Sequence, residues 1–374
     1  MSTSDRGLEL DVTVDVGDFT LTAQLDVGPG GILAVLGPNG SGKSTLLAAI
    51  AGRLTPSRGY VRAGGRDLVN AGPGPRTNVP LERRRVGLLG QEPLLFPHLS
   101  ALENVAFGPR AQGRPAREAR DEAARLLDSV GLGGFASRRP TGLSGGQQQR
   151  VAIARTLAAR PEVLLLDEPF TALDVETAAQ MRRLVAAQRD EHGLPTLLVT
   201  HDPLDAIVLA DRAAILHDGR IAQVGPVPEV LGHPRTAFIA ALAGVNLVNG
   251  AATADGAVLA DGAAPSADVA SPRLLLRGEG DAPPPGAGAS AVFSPGAVHA
   301  RTAPADAGPA VANRWTGTVA LLEATPGGVR ITTAEHPGIA VDVPSAAAVG
   351  LDLDTGSRLE FEVSAADVSV RPHP

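Results

Sequence analysis

The chain has 33 basic residues, and only one of them, Lys43, is a lysine. Arginine supplies every other positive charge, so a compact ammonium on a flexible stem is specifically wanted at this position. Its neighbours explain the choice. Gly37-Pro38-Asn39-Gly40-Ser41-Gly42-Lys43-Ser44-Thr45 fits GxxxxGK[ST]; it follows an apolar stretch, Ile32–Leu36, that reads as a strand, and it opens an expected helix at 44–50. Glycines here let backbone N–H groups wrap phosphate oxygens, and the helix N-terminus adds favourable electrostatics. Lys43 is expected to reach the β- and γ-phosphates of a nucleoside triphosphate, with the Ser44 hydroxyl on Mg²⁺. Further on, Val163-Leu164-Leu165-Leu166-Asp167-Glu168 reads as a buried strand ending in two carboxylates. Asp167 is placed to hold Mg²⁺, and Glu168 beside it to polarise an attacking water.

Between these segments, Leu143-Ser144-Gly145-Gly146-Gln147 opens a long helix. Taken alone it reads as an anion-binding nest or as a plain helix cap at Ser144. In this order the motifs resemble the ABC transporter ATPase family, whose signature is LSGGQ, over roughly residues 1–235. The resemblance implies ATP and Mg²⁺ as cofactors. It also implies that Gln91 is the Q-loop glutamine, in reach of Mg²⁺, and that Thr171-Ala172-Leu173-Asp174 is the D-loop, with Asp174 at the nucleotide. His201 then becomes the switch histidine that contacts the γ-phosphate, so Glu168, His201 and Gln91 form the catalytic set. With one phosphate loop and one signature per chain, the resemblance further implies a homodimer. In it, Ser144, Gly145, Gly146 and Gln147 of one copy close on ATP held by the other. One departure stands out: where the family carries an adenine-stacking aromatic, this chain reads Val16-Gly17-Asp18-Phe19, leaving Phe19 as the candidate substitute.

The elements that must position these residues are of two kinds. At 374 residues the chain suggests two or three domains. Residues 1–235 alternate strands and helices, so the expected fold class is α/β, a P-loop ABC ATPase domain with a mainly parallel sheet and a helical subdomain. Strands are expected at Ile32–Leu36, 163–166, 196–200 and 213–216, with a tight hairpin through Asp218-Gly219 into 221–224 and two short helical pieces at 226–244. Residues 236–309, rich in Ala, Gly and Pro and containing Pro283-Pro284-Pro285, read as a flexible linker, with short strands at 273–276 and 291–293. Alternation returns in 310–374, where strands at 318–322, 329–332, 339–343 and Arg358–Val363 suggest a small OB-like β-barrel. No strong internal repeat is visible, and Arg83-Arg84-Arg85 reads as a solvated charge run.

Several function classes are disfavoured. The net charge of −7 speaks against a nucleic-acid partner, and the absence of cysteine rules out disulfides and thiolate metal sites. No export signal and no apolar run of membrane-spanning length is present, so a peripheral location on the cytoplasmic face of the cell membrane is expected. No sustained heptad pattern separates Lys43 from Ser144, unlike ABC ATPases of DNA maintenance, and a single cassette is unlike those of translation. An importer subunit fits. By resemblance, the region from Gln91 through Phe96-Pro97-His98-Leu99 accepts a helix of a membrane permease, which is fed by an extracytoplasmic solute-binding protein.

Asn313-Arg314-Trp315-Thr316-Gly317-Thr318-Val319 resembles the opening of the molybdate-binding Mop/TOBE-type barrel, S-x-x-N-x-x-x-G-x-V, with Ala310 in the serine position. Together with Leu95-Phe96-Pro97-His98 and Gly244-Val245-Asn246-Leu247-Val248-Asn249-Gly250, it makes the chain similar to the ATP-binding subunits of molybdate importers. ATP hydrolysis is therefore expected to drive import of molybdate or tungstate. Ferric iron, sulfate or a polyamine are the alternative cargoes, and a non-transport ABC ATPase is a further alternative. The barrel is expected either to bind the oxyanion and restrain transport or to serve as a dimerisation module.

Overall fold

The structure is a computed structural model that describes residues 7–72, 75–260, 274–303, 311–351 and 353–373. Ala310 and Arg273 lie outside the described residues. The chain divides into two compact units, Met1–Val230 and Leu231–Pro374.

The first unit is built on an eleven-stranded sheet. Its strands and helices, in chain order, are β1 (Leu8–Val16), β2 (Phe19–Val27), β3 (Ile32–Leu36), α1 (Lys43–Ala51), β4 (Arg58–Ala63), β5 (Arg66–Asn70), β6 (Thr77–Asn78), β7 (Val86–Leu89), α2 (Ala101–Ala111), α3 (Ala116–Ser129), α4 (Gly145–Ala158), β8 (Val163–Asp167), α5 (Val175–His192), β9 (Thr196–Val199), α6 (Pro203–Leu209), β10 (Arg212–His217) and β11 (Arg220–Pro226). The sheet order is β6-β5-β4-β1-β2-β11-β10-β3-β9-β8-β7. Neighbours from β10 to β7 pair in parallel, whereas β1, β2, β4, β5 and β6 form antiparallel ladders. The sheet is thus mixed, and its parallel half is the half read from the sequence.

Both faces of the parallel strands are buried, as continuous apolar runs require. Leu164, Leu166 and Leu198 pack with α2 to α5 on one face. Val163, Leu165, Leu197 and Val199 pack with α1 and the antiparallel strands on the other. Each fully buried Leu or Val contributes about 1.5–3 kcal/mol relative to exposure. The expected hairpin closes through Asp218 and Gly219, with φ of 46° and 72°, between His217 and Arg220. Two successive positive φ values are the type I′ solution that matches strand twist. Val16-Gly17-Asp18-Phe19 turns out to be another two-residue hairpin, joining β1 to β2, with Val16 opposite Phe19.

The Arg83-Arg84-Arg85 run needs correction. Arg83 and Arg85 are exposed, but Arg84 is only 1% exposed. Its guanidinium donates to Ala49 O and Ile50 O at 3.0 and 2.9 Å, and to Val79 O and Asn78 Oδ1 at 2.8 Å each. The cation thereby satisfies the carbonyls at the negative end of α1, the helix that begins at Lys43. Burial pushes its pKa below the usual arginine value.

In the second unit, short α7 (Val227–Gly232), which spans the boundary, and α8 (Ala237–Ala243) precede the strands β12 (Asn246–Ala252), β13 (Val258–Ala260), β14 (Leu275–Leu276), β15 (Gly288–Phe293), β16 (Val298–Thr302), β17 (Arg314–Thr325), β18 (Gly328–Thr333), β19 (Ala340–Pro344), the one-turn α9 (Ser345–Ala348), β20 (Arg358–Val363) and β21 (Ser369–Pro372). They form two five-stranded sheets, β14-β13-β12-β15-β21 and β16-β20-β17-β18-β19. One core serves both, with Trp315 stacked on Phe361 at 5.7 Å between centroids and Phe293 6.3 Å from Trp315. The segment read as a linker is therefore structured where it is described. Small residues such as Ala289 and Ala291 are buried in β15, and the proline run makes a turn closed by Ala287 N–H on Pro284 O at 3.0 Å.

An internal repeat also emerges. Asn246 and Asn313 each bracket one residue's backbone with both ends of the amide, at Ala340 and Arg277 respectively. Ser294 and Ser364 each cap a turn two residues on, at 3.3 Å, and are followed four and seven residues later by Val298 and Arg301 in one half, Val368 and Arg371 in the other. The halves exchange their last strands: β16 pairs with β20, and β21 with β15.

Arg84→Ala leaves two buried carbonyls, Ala49 O and Ile50 O, and two part-buried acceptors without this donor, and is expected to destabilise the N-terminal unit by about 3 kcal/mol. Urea denaturation should show this as a lowered midpoint, with Arg84→Lys recovering less than half. An unchanged midpoint would rule out the clamp.

Candidate functional site

The carboxyl ends of parallel neighbours share one edge of the sheet, where ligands of open α/β sheets bind. Here β3 delivers the 37–45 loop, β7 is followed by Gln91, β8 ends at Asp167 and Glu168, and β9 is followed by Thr200 and His201. Register brings them level, with Val35 and Asp167 both opposite Val199, and Leu89 opposite Leu166. Sequence-distant residues are gathered by this pairing alone.

The loop is held by close backbone approach. A Cβ at Gly37 would sit 2.2 Å from Leu216 O, and Gly42 has φ of 107°. Gly40 also has positive φ, and Asn39 and Gly40 are exposed at the tip. The Phe19 ring lies beneath, 2.9 Å from where a Gly42 Cβ would stand, and also against Gly219. The expected adenine partner is thus half-buried as a support for the loop. Lys43 is 8% exposed and folds back to donate to Gly37 O and Pro38 O at 2.7 and 2.8 Å. Ser41, 3% exposed, has an Oγ with no hydrogen-bond partner. Thr45 continues α1 behind it.

Burial pushes the Lys43 ammonium down in pKa, opposed by Glu168 and Asp167. Burial and then the Glu168 charge push the Asp167 carboxyl up, opposed by Lys43 and a hydrogen bond from Ser44. Glu168 adopts φ of 48°, a left-handed conformation uncommon outside glycine, with its N–H on Val199 O at 2.9 Å. That conformation turns its side chain towards His201, whose Nδ1 lies 3.2 Å from Glu168 Oε1. Ser44 and Asp167 offer hard oxygen donors suited to magnesium, and the unpartnered Ser41 hydroxyl and buried lysine suit a polyphosphate. The residues present fit MgATP.

The Ser144 segment forms a capping box: Ser144 Oγ accepts from Gln147 N–H at 3.3 Å, and Gln147 Oε1 from Ser144 N–H at 3.0 Å. Gly145 is exposed, and Gly146 packs against the Ala172 carbonyl, closely enough that a Cβ would stand 3.2 Å from it. Asp174 caps α5, accepting from Thr177 N–H at 2.9 Å, and these bonds hold its carboxyl below the usual range. Among the described residues, no hydrogen bond joins the 37–45 loop to Ser144, Gly145, Gly146 or Gln147. The two halves of the expected site are therefore not brought together within one chain by such bonds.

The family model for ABC transporters matches residues 21–171. A molybdenum import ATP-binding protein, ModC, of Mycobacterium tuberculosis is 43% identical, covering 98% of each chain. The chain belongs to the ABC transporter family. A sulfate/thiosulfate import ATP-binding protein, CysA, of Mycobacterium tuberculosis is 46% identical over 64% of this chain and 67% of its own length. An ATP-binding cassette solved as a dimer in a post-hydrolysis state, bound to ADP and Pi, is 32% identical, with a TM-score of 0.52, and covers 59% of this chain and 98% of that one. This ABC transporter chain is a nucleotide-binding cassette, and no helix among its described residues is long and apolar enough to cross a membrane.

Three supports of the ABC site were missed in the sequence. Gln149, 2% exposed, donates to Pro169 O at 3.2 Å and ties α4 to the residue after Glu168. Arg155 donates to Leu94 O and Pro93 O at 2.9 Å each and lies over the Phe96 ring. Asn104, fully buried, accepts from Phe96 N–H and donates to the carbonyls of Phe96, Leu99 and Ser100. Gln149 and Asn104 had a weak signal, as polar residues on apolar helix faces. The loop after Gln91 and the start of α4 enclose a groove of about 370 Å³, with Pro93, Leu94, Leu95 and Pro97 on one side and Thr141 and Gln148 on the other.

Asp167 has its folded pKa raised, so its ionised form lowers stability at all pH above that value, and the penalty vanishes as pH falls through it. Asp167→Asn should therefore raise the melting temperature of the nucleotide-free protein at pH 7 while lowering Mg²⁺-dependent turnover by about 100-fold or more. Differential scanning fluorimetry and an ATPase assay check both. A lowered melting temperature would contradict the electrostatic account.

Proposed function

We propose that this chain is the ATP-hydrolysing subunit of an importer for molybdate, with tungstate as an accepted analogue. Two copies work on the cytoplasmic face of the membrane, docked on a permease that receives cargo from an extracytoplasmic binding protein. The observation that carries the cargo is one of extent. Similarity to the molybdenum importer subunit runs through 98% of both chains, whereas the sulfate/thiosulfate relative matches 64% of this one. The C-terminal unit thus favours molybdate, and the high identity of the sulfate relatives makes sulfate the second reading.

In the proposed mechanism, Lys43 exchanges the carbonyls of Gly37 and Pro38 for β- and γ-phosphate oxygens, while backbone N–H groups of the loop enclose the phosphates. Magnesium, when bound, neutralises charge developing between the β- and γ-phosphates. Ser44 and Asp167 would hold it, with the Gln91 amide oxygen as a further donor. Glu168 orients and polarises the attacking water, and His201, 3.2 Å away, keeps that carboxylate aimed and reaches the γ-phosphate. Ser144, Gly145, Gly146, Gln147 and Asp174 of the second copy complete the site, a reading supported by the dimer in which the related cassette was solved. Cleavage removes the bridging phosphate, and the dimer opens. The groove beside Gln91 receives the permease, so opening is transmitted through Pro93 and Leu94. The Asn313 amide brackets Arg277 with its oxygen and one N–H, which leaves its second N–H as a donor for an oxyanion at the C-terminal unit.

Glu168→Gln should bind ATP normally, lose about 100- to 10,000-fold in turnover and persist as a dimer on gel filtration with ATP. Normal turnover would remove Glu168 from its role. In cells lacking this protein, labelled molybdate uptake should be restored by wild type and not by Glu168→Gln. Competition by tungstate and not sulfate supports molybdate; competition by sulfate alone would move the cargo to the second reading.

A further inference from the structure

Beneath Glu168 and His201 lies a buried polar group that no nucleotide motif accounts for. Arg182 on α5 and Asp205 on α6 are 8% and 3% exposed. Arg182 Nε and Nη2 donate to Asp205 Oδ1 at 2.8 and 2.5 Å, and Thr200 Oγ1 donates to the other oxygen at 2.6 Å. The same hydroxyl accepts the Asp202 N–H at 3.0 Å, so it grips the chain on both sides of His201. On its far side the Arg182 guanidinium lies over the Phe170 ring, 5.3 Å from the centroid. Phe170 is buried and follows Glu168 by two residues. One buried cation therefore touches the loop that carries Glu168 and, through Asp205 and Thr200, the loop that carries His201.

A buried ion pair is a poor source of stability, because desolvation offsets its attraction. An apolar pair of similar volume would pack as well. What the ionic group adds is direction: three donors on one carboxylate fix its orientation and that of everything bonded to it. We propose that Arg182 and Asp205 are positioning residues that act through Thr200 to hold His201 at its 3.2 Å distance from Glu168. This rests on the catalytic reading of Glu168 and His201 given above. Placement at this precision is worth defending, since a displacement of about 1 Å at a reacting centre costs on the order of 100-fold in rate.

The test is a double-mutant cycle on the ATPase activity of the full chain. Thr200→Val keeps the shape and removes the hydroxyl; kcat is expected to fall about tenfold with KM for ATP within about twofold, and Thr200→Ser to restore it. In a His201→Ala background the same change should alter kcat by less than about twofold, because the group it positions is gone. Arg182→Lys, which loses the forked donor geometry, should follow the same pattern. Equal losses in both backgrounds would mean general structural support and overturn the proposal, as would wild-type kcat in Thr200→Val and Arg182→Lys. Glu168→Gln in the same assay separates the two levels. If it is inactive while those variants are fully active, only the positioning inference fails; if it turns over normally, the catalytic reading fails first.

Discussion

Removing the ammonium of Lys43 from water is unfavourable, and the N-terminal unit is arranged around what offsets it. Two carbonyls of its own loop accept hydrogen bonds from it, and the carboxylates of Asp167 and Glu168 supply the opposite charge from a neighbouring part of the sheet. That requires the ends of β3 and β8 to be near each other in register, which the intervening β9 sets by parallel pairing with both. It also requires a loop able to turn back on itself, hence Gly37 against Leu216 O and the left-handed Gly42. The opposite end of α1 is fixed as well, by the buried Arg84. A helix anchored at its C-terminal carbonyls by one cation presents its N-terminus to phosphate at a defined height.

The chemistry of this chain was legible because it is written in contiguous motifs. The 37–45 loop, the Asp167-Glu168 pair and the Ser144 segment each carry their own backbone logic, and the parallel strands announce themselves as apolar runs. The antiparallel β1 and β2 were not read as strands, although both are buried at every second residue, and the Val16 to Phe19 turn was read as a base-binding segment. Arg84 was not legible. Nothing local distinguishes it from Arg83 and Arg85, and its burial depends on carbonyls of residues 49, 50 and 79. The same holds for Arg182 and Arg155, whose partners lie on other elements.

In the C-terminal unit, composition misled. Alanine, glycine and proline in 236–309 were read as a flexible linker, yet small side chains such as Ala289 and Ala291 are what the core around Trp315, Phe361 and Phe293 accommodates. The repeat escaped notice because the halves share only scattered positions: an asparagine bracket, a glycine four residues later, a serine-capped turn, and a valine and an arginine four and seven residues after that serine.

That exchange has a consequence for how the molecule comes into being. A sheet whose edge strand arrives from residues 369–372 cannot be completed while the ribosome is still translating the preceding stretch. The cassette, whose last ladder closes at β11, can fold as synthesis proceeds, whereas the β unit must wait with hydrophobic surface exposed. Newly made chains should therefore pass through a state with a finished cassette and an open tail. In that interval the apolar side chains of the β unit, Trp315 and Phe361 among them, lack the sheet that later covers them.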